Sequence, residues 1–106
     1  MTNPRLDAMR AMVAKNPGNA LARFGLANEA LKAQLYEEAV EHLRAYLAAH
    51  DDEGNAYGRL AEALIKLGRV DEARAAFRDG IAASDRFGHP GMVNEFETRL
   101  DELEGE

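Results

Sequence analysis

Residues 22–51, ARFGLANEALKAQLYEEAVEHLRAYLAAHD, and residues 56–85, AYGRLAEALIKLGRVDEARAAFRDGIAASD, are two versions of one segment set thirty-four residues apart. Ala22, Leu26, Ala27, Lys32, Glu38, Ala39, Arg44, Ala48, Ala49 and Asp51 recur as Ala56, Leu60, Ala61, Lys66, Glu72, Ala73, Arg78, Ala82, Ala83 and Asp85. The same offset pairs Leu31 with Ile65, Glu37 with Asp71, Leu43 with Phe77 and Leu47 with Ile81. An internal period of this length marks stacked units, each burying its apolar face against a neighbour. Alanine-rich, charge-rich composition with few β-branched residues makes those units helical throughout, so the expected fold class is all-α.

Working outward from the two copies, the spacing predicts six helices. The first covers 4–15, with Asn3 as cap, Pro4 at the first helical position, and Leu6, Met9, Met12 and Val13 on one face. Asn16-Pro17-Gly18-Asn19 breaks it, and Asn19 caps a second helix over 20–33 that turns Leu26, Ala27, Ala30 and Leu31 inward. After a turn near Gln34 and Leu35, a third helix runs from Tyr36 to Ala49. Glu37 and Glu38 lie in its favourable first turn, and Ala39, Leu43, Tyr46 and Leu47 form its buried stripe. Asp51-Asp52 then supplies a cap for a fourth helix over 53–67, bearing Tyr57, Leu60, Ala61, Leu64 and Leu67 and closed by Gly68. A fifth over 70–83 buries Val70, Ala73, Phe77 and Ile81. A longer link, 84–91, leads to a sixth helix in which Pro90 comes first and Val93, Phe96, Leu100 and Leu103 share one side.

The whole chain, 106 residues, is read as a single domain with a modest core. With no Cys, thiolate catalysis, disulfides and thiolate zinc sites are excluded. The net charge is −6, and from His89 onward six acids face one base, which leaves the remainder at −1 by difference. No basic stripe exists to release counterions from a nucleic acid or an anionic membrane, so neither is expected as a partner. No apolar run approaches bilayer length and the first residues carry no signal-like core, which makes the cytoplasm the expected location.

These residues resemble the tetratricopeptide repeat, a 34-residue antiparallel helix pair. Leu26-Ala27 and Leu60-Ala61 match its leucine and small residue in the first helix. Ala39 and Ala73 match the small residue where the two helices touch, and Leu43 and Phe77 the large residue four places on. The resemblance implies a right-handed α-solenoid of antiparallel helix pairs. It divides the chain into an N-terminal half repeat (4–15), two full repeats (20–53 and 54–87) and a C-terminal capping helix (90–104). The chain departs from the pattern at Arg23 and Ala30, where aromatics are common, and at Asp51 and Asp85, where the family often ends a repeat with proline.

The resemblance also implies a function, the binding of a protein or peptide segment in a concave groove, as an adaptor or assembly factor would. The groove residues it implies are Leu21, Phe24, Asn28, Leu31 and Lys32 from one repeat and Asn55, Arg59, Glu62 and Lys66 from the next. Gly58 would sit among the latter, and the last helix would add Asn94, Thr98 and Asp101. Leu21, Phe24 and Leu31 make a half-apolar wall beside a basic strip of Lys32, Arg59 and Lys66 suited to a carboxylate. The plainer reading is that the lysines are solvated, that the apolar three pack on the first helix, and that Gly25, Gly58 and Gly80 mark helix contacts. The family's clamp for C-terminal carboxylates falls here on Phe24, Asn28, Arg59, Gly91 and Glu95; only Asn28 agrees and Glu95 would repel such a ligand. The alternative function is self-association into a homodimer through the terminal helices, with Met9, Met12 and the Met92-Val93-Phe96 edge as adhesive surface.

No enzymatic constellation emerges. Glu38 and His42 stand one turn apart without a second histidine, and His42 reads as a solvated helix residue. His50-Asp51-Asp52-Glu53 reads as a helix end and a cap, and Gly88-His89-Pro90-Gly91 as a turn that lacks a phosphate loop's length and lysine. Neither a catalytic residue, a metal ligand nor a cofactor site is expected.

Overall fold

The computed structural model describes residues 3–105, and six helices account for nearly all of them. They are α1 (Pro4–Lys15), α2 (Ala20–Lys32), α3 (Tyr36–Ala49), α4 (Asn55–Lys66), α5 (Val70–Arg86) and α6 (Pro90–Glu104). The chain forms two compact units, one ending at His50 and the other starting at Asp51. The first holds α1–α3 and the second α4–α6. No strand occurs among the described residues, and the architecture is an all-α helical repeat.

Local signals explain the helix ends. Asn3 Oδ1 accepts from the Leu6 amide at 3.1 Å, and Asn19 Oδ1 accepts from the Ala22 amide at 3.1 Å, each satisfying a donor the helix leaves unpaired. At α4 the cap is Asp52 alone: its buried carboxylate accepts from the amides of Gly54 at 2.8 Å and Ala56 at 2.9 Å. Asp51 instead takes the Arg86 guanidinium at 2.6 Å. Helix α4 accordingly starts at Asn55, two residues later than the sequence suggests, because Gly54 at φ 132 is not helical.

Three turns share one construction. The amide of Leu35 returns to the Ala30 carbonyl, Arg69 to Leu64 and His89 to Ser84, each at 2.8 Å. A left-handed residue precedes each: Gln34 at φ 61, Gly68 at φ 75 and Gly88 at φ 75. This is the Schellman ending, in which one left-handed residue lets two amides close the last carbonyls. It corrects the expectation of a lengthened link over 84–91. Helix α5 continues to Arg86, with Ser84 buried and its hydroxyl donating to the Gly80 carbonyl at 2.6 Å, so the link is 87–89, matching 33–35 and 67–69.

The two cores follow the repeat. In the first unit Leu6, Val13 and Leu26 cluster with Met9 and Ala22 against them. Ala27, Ala30, Ala39, Val40, Leu43 and Tyr46 are buried too. Met12 is a correction: it points away from this cluster and is 58% exposed. In the second unit Leu60, Ala61, Leu64, Ala73, Ala76, Phe77, Phe96 and Leu103 are buried. Ala39 and Ala73 are fully inaccessible, as a close helix crossing requires, and burial of Leu43 and Phe77 contributes about 1.5–3 kcal/mol each. Val70, Ile81, Val93 and Leu100 are only half-buried.

Candidate interaction surface

The residues that the sequence assigns to a binding face fall on α2 in the first unit and on α4 in the second. On α2, Leu21 in the first turn is 78% exposed, the most open large apolar side chain described. Phe24 is half-buried because its ring stacks on Tyr46 of α3, with centroids 4.7 Å apart. Asn28 and Leu31 are half-buried, and Lys32 is exposed with Nζ 3.5 Å from Glu29 Oε1. Glu29 also receives Arg5 of α1 at 2.9 Å, so one carboxylate already serves two cations.

On α4, Asn55, Arg59, Glu62 and Lys66 are all exposed. Arg59 Nε donates to Asn55 Oδ1 at 2.7 Å, which orients the guanidinium along its own helix. Glu62 is bound by Arg99 of α6 through two parallel contacts, each 2.8 Å, and this fork holds Arg99 charged far beyond its ordinary range. Gly58 does not face a ligand. A methyl group there would lie 2.7 Å from the Phe96 ring, and one at Gly80 would lie 2.9 Å from the same ring and 3.0 Å from Tyr57 Cβ. The two glycines form a slot filled by Phe96, whose ring also lies 5.6 Å from that of Phe77. Phe96 is therefore core, not adhesive edge. Asn94, Thr98 and Asp101 of α6 are exposed, and the Thr98 hydroxyl is turned back to the Asn94 carbonyl at 2.9 Å.

The first unit also holds a polar network that the sequence only hinted at. His42 is buried rather than solvated. Its Nδ1 lies 3.3 Å from Arg23 Nη1 and its Nε2 lies 3.5 Å from Glu38 Oε2. Because Arg23 can only donate, Nδ1 accepts and Nε2 carries the proton that faces Glu38. Arg10 of α1 closes the chain, donating from Nε at 2.8 Å and Nη2 at 2.7 Å to the two Glu38 oxygens. That bidentate bond, against some opposition from burial, holds the Glu38 carboxyl below its ordinary value. The Glu38–His42 spacing was visible in sequence; the arginines, on two other helices, were not. In the second unit, burial and the nearby Asp79 and Asp52 carboxylates push the Tyr57 phenol upward.

Two general facts bound the chemistry. Among the described residues no group of three His, Asp or Glu side chains could hold a metal ion, and no helix is long and apolar enough to cross a membrane. Helix pairs with small residues at the crossings, Schellman turns and a thirty-four-residue period define a helical-repeat protein. The sequence profile of the tetratricopeptide repeat matches residues 30–86, more than half of the chain, and the chain belongs to that family. A TPR repeat-containing protein of Pseudomonas aeruginosa is 29% identical over 99 residues, which cover 93% of this chain and 94% of that one. The solution structure of a Bordetella parapertussis protein superimposes with a TM-score of 0.77 at 29% identity, covering 97% of this chain and 89% of the other. A structure of MamA (MSR-1) matches in fold with a TM-score of 0.68 at 22% identity, covering 94% of this chain and 66% of that one. Tetratricopeptide-repeat domains are in general protein–protein interaction modules and non-catalytic scaffolds.

Proposed function

We propose that the chain is a protein- or peptide-binding module of adaptor or assembly-factor type, whose first helices carry the recognition surface. In the first unit the surface is Leu21, Phe24, Asn28, Leu31 and Lys32; in the second it is Asn55, Arg59, Glu62 and Lys66. The observation that carries this reading is Leu21, an apolar side chain 78% exposed on a first helix whose neighbours Phe24 and Leu31 are only partly covered. Apolar surface left in water on an ordered helix is what a partner's side chain would cover. Arg59 adds an exposed guanidinium that a partner carboxylate could engage in a forked pair. The roles are unequal: Leu21, Lys32 and Lys66 are available at the surface, whereas Glu62 serves chiefly to hold Arg99.

The test begins with a partner captured from the source organism and verified with purified components. Leu21→Asp and Arg59→Glu are each expected to weaken binding at least tenfold while the melting temperature stays within about 2 °C, since both residues are exposed and surface changes are usually small in stability. Wild-type affinity in both variants would overturn the assignment. Phe24→Ala is a poor probe of the same surface, because it removes the ring under Tyr46 and weakens the α2–α3 contact directly.

A further inference from the structure

Helices α1 and α6 each present a face of the kind that the internal pairs α2–α3 and α4–α5 bury. Leu6, Met9 and Val13 of α1 repeat the spacing of Val40, Leu43 and Leu47 of α3, thirty-four residues on. Leu6 and Val13 are buried in the α1–α2 cluster. In α3 the side turned to its pair partner carries Ala39, His42 and Tyr46, the latter two in contact with Arg23 and Phe24 of α2. The corresponding residues of α1 are Arg5, Ala8 and Met12, and all three are exposed. Helix α6 has the complementary register. Its Val93, Phe96, Leu100 and Leu103 repeat the spacing of Tyr57, Leu60, Leu64 and Leu67 in α4. Tyr57 lies on the side of α4 that meets α5, against Gly80. On α6 that side carries Val93, Glu97 and Leu100, with the two apolar residues half-exposed and Glu97 exposed.

We infer that α6 of one copy and α1 of a second copy complete a helix pair, so that the chain self-associates head to tail. Three observations converge. The open face of α1 has the register of a second helix and that of α6 has the register of a first helix, the two halves of one pair. The charges are complementary: α1 carries three bases against one acid, and α6 five acids against one base. The positions that Ala61 and Ala73, both fully buried, hold on α4 and α5 are taken at the open faces by Glu97 and Arg5. The exposed Glu97 carboxylate would there share the Arg5 guanidinium, which already pairs with Glu29 of its own chain at 2.9 Å but keeps its side chain 73% exposed, with Met12 against Val93 and Leu100 as the apolar part of the contact. Such opposed charges select the partner and steer the encounter, and methionine adapts to an imperfect surface. The contact is heterologous, joining unlike faces, unlike a two-fold homodimer. It also uses a different surface from the one proposed for a foreign partner.

Light scattering on the purified chain over a wide concentration range, from about 10 µM to 1 mM, tests this. The mass is expected to rise above 11.6 kDa with concentration, and less so at high salt. Met12→Asp and Glu97→Arg, at exposed positions, block one face each; each variant alone is expected to be monomeric, with association at least tenfold weaker. Mixed in equal amounts they should form a complex of two chains, because the first variant retains an intact α6 face and the second an intact α1 face. Circular dichroism melting of both variants shows that each is folded. A wild-type mass of 11.6 kDa at every concentration overturns the inference. So does persistent association of either variant alone, which marks a symmetric contact, or a mixture of folded variants that stays monomeric.

Discussion

Gln34 holds the left-handed conformation that Gly68 and Gly88 hold at the two matching turns, φ 61 against 75 and 75. A Cβ makes that conformation cost about 1 kcal/mol or more, and glycine avoids the cost. Gln34→Gly is therefore expected to stabilise the first unit by roughly 0.5–1 kcal/mol, the added freedom of glycine in the unfolded chain offsetting part of the gain. An unchanged or lower midpoint in urea would show that Gln34 is not strained. Gly58 carries the opposite prediction. Phe96 is wedged between Gly58 and Gly80 and has little room to give, so Gly58→Ala should destabilise by about 1–3 kcal/mol through overpacking. Gly91, with nothing within 4 Å of an added methyl, is the control, and Gly91→Ala should be neutral or mildly stabilising. Equal midpoints for the two alanine variants would remove the steric account.

Between elements, polar contacts add to the buried Leu6, Val13, Phe96 and Leu103 in tying the outer helices down. In the second unit α6 is held by the Arg99–Glu62 fork, by Arg78 on Glu104 at 2.6 Å, and by Arg74, which donates to the Leu103 carbonyl at 2.8 Å. In the first, Arg10 ties α1 to Glu38 of α3, and Glu38 in turn faces His42. Because the folded protein holds the Glu38 carboxyl below its ordinary value of 4.5, folding favours the ionised form. That contribution is complete above about pH 5 and is lost as pH falls from 4.5 through the lower folded value. Glu38→Gln should cost about 1 kcal/mol at neutral pH and flatten the wild-type decline in stability below pH 4.5. Parallel acid-melting curves for the two proteins would contradict this.

On the scale of the whole molecule, the internal repeat determined more than any residue. The thirty-four-residue offset made the helix pairs, their small crossing residues and the turn positions legible in the chain, and the family match and the solved relatives agree. Helix ends were harder to read. Asp51 and Asp52 are equivalent as letters, and only the fold shows that one caps α4 while the other meets Arg86. Ser84 looks like a loop residue, yet it is helical and buried, with its hydroxyl satisfied by the Gly80 carbonyl one turn back in α5. The proposed surface divides in the same way. Leu21 is exposed, whereas Phe24 and Glu62 are engaged by Tyr46 and Arg99, and Gly58 is covered by Phe96. Those partners lie on other helices, so no local pattern could assign them.

The amino-acid order alone therefore determined the all-α class, the period and the places where helices touch, because periodic burial and turn chemistry are local properties written every three or four residues. Tertiary structure decided which charges pair, which histidine is buried and which apolar faces stay open, because those depend on distances between residues that the chain separates by two or three helices.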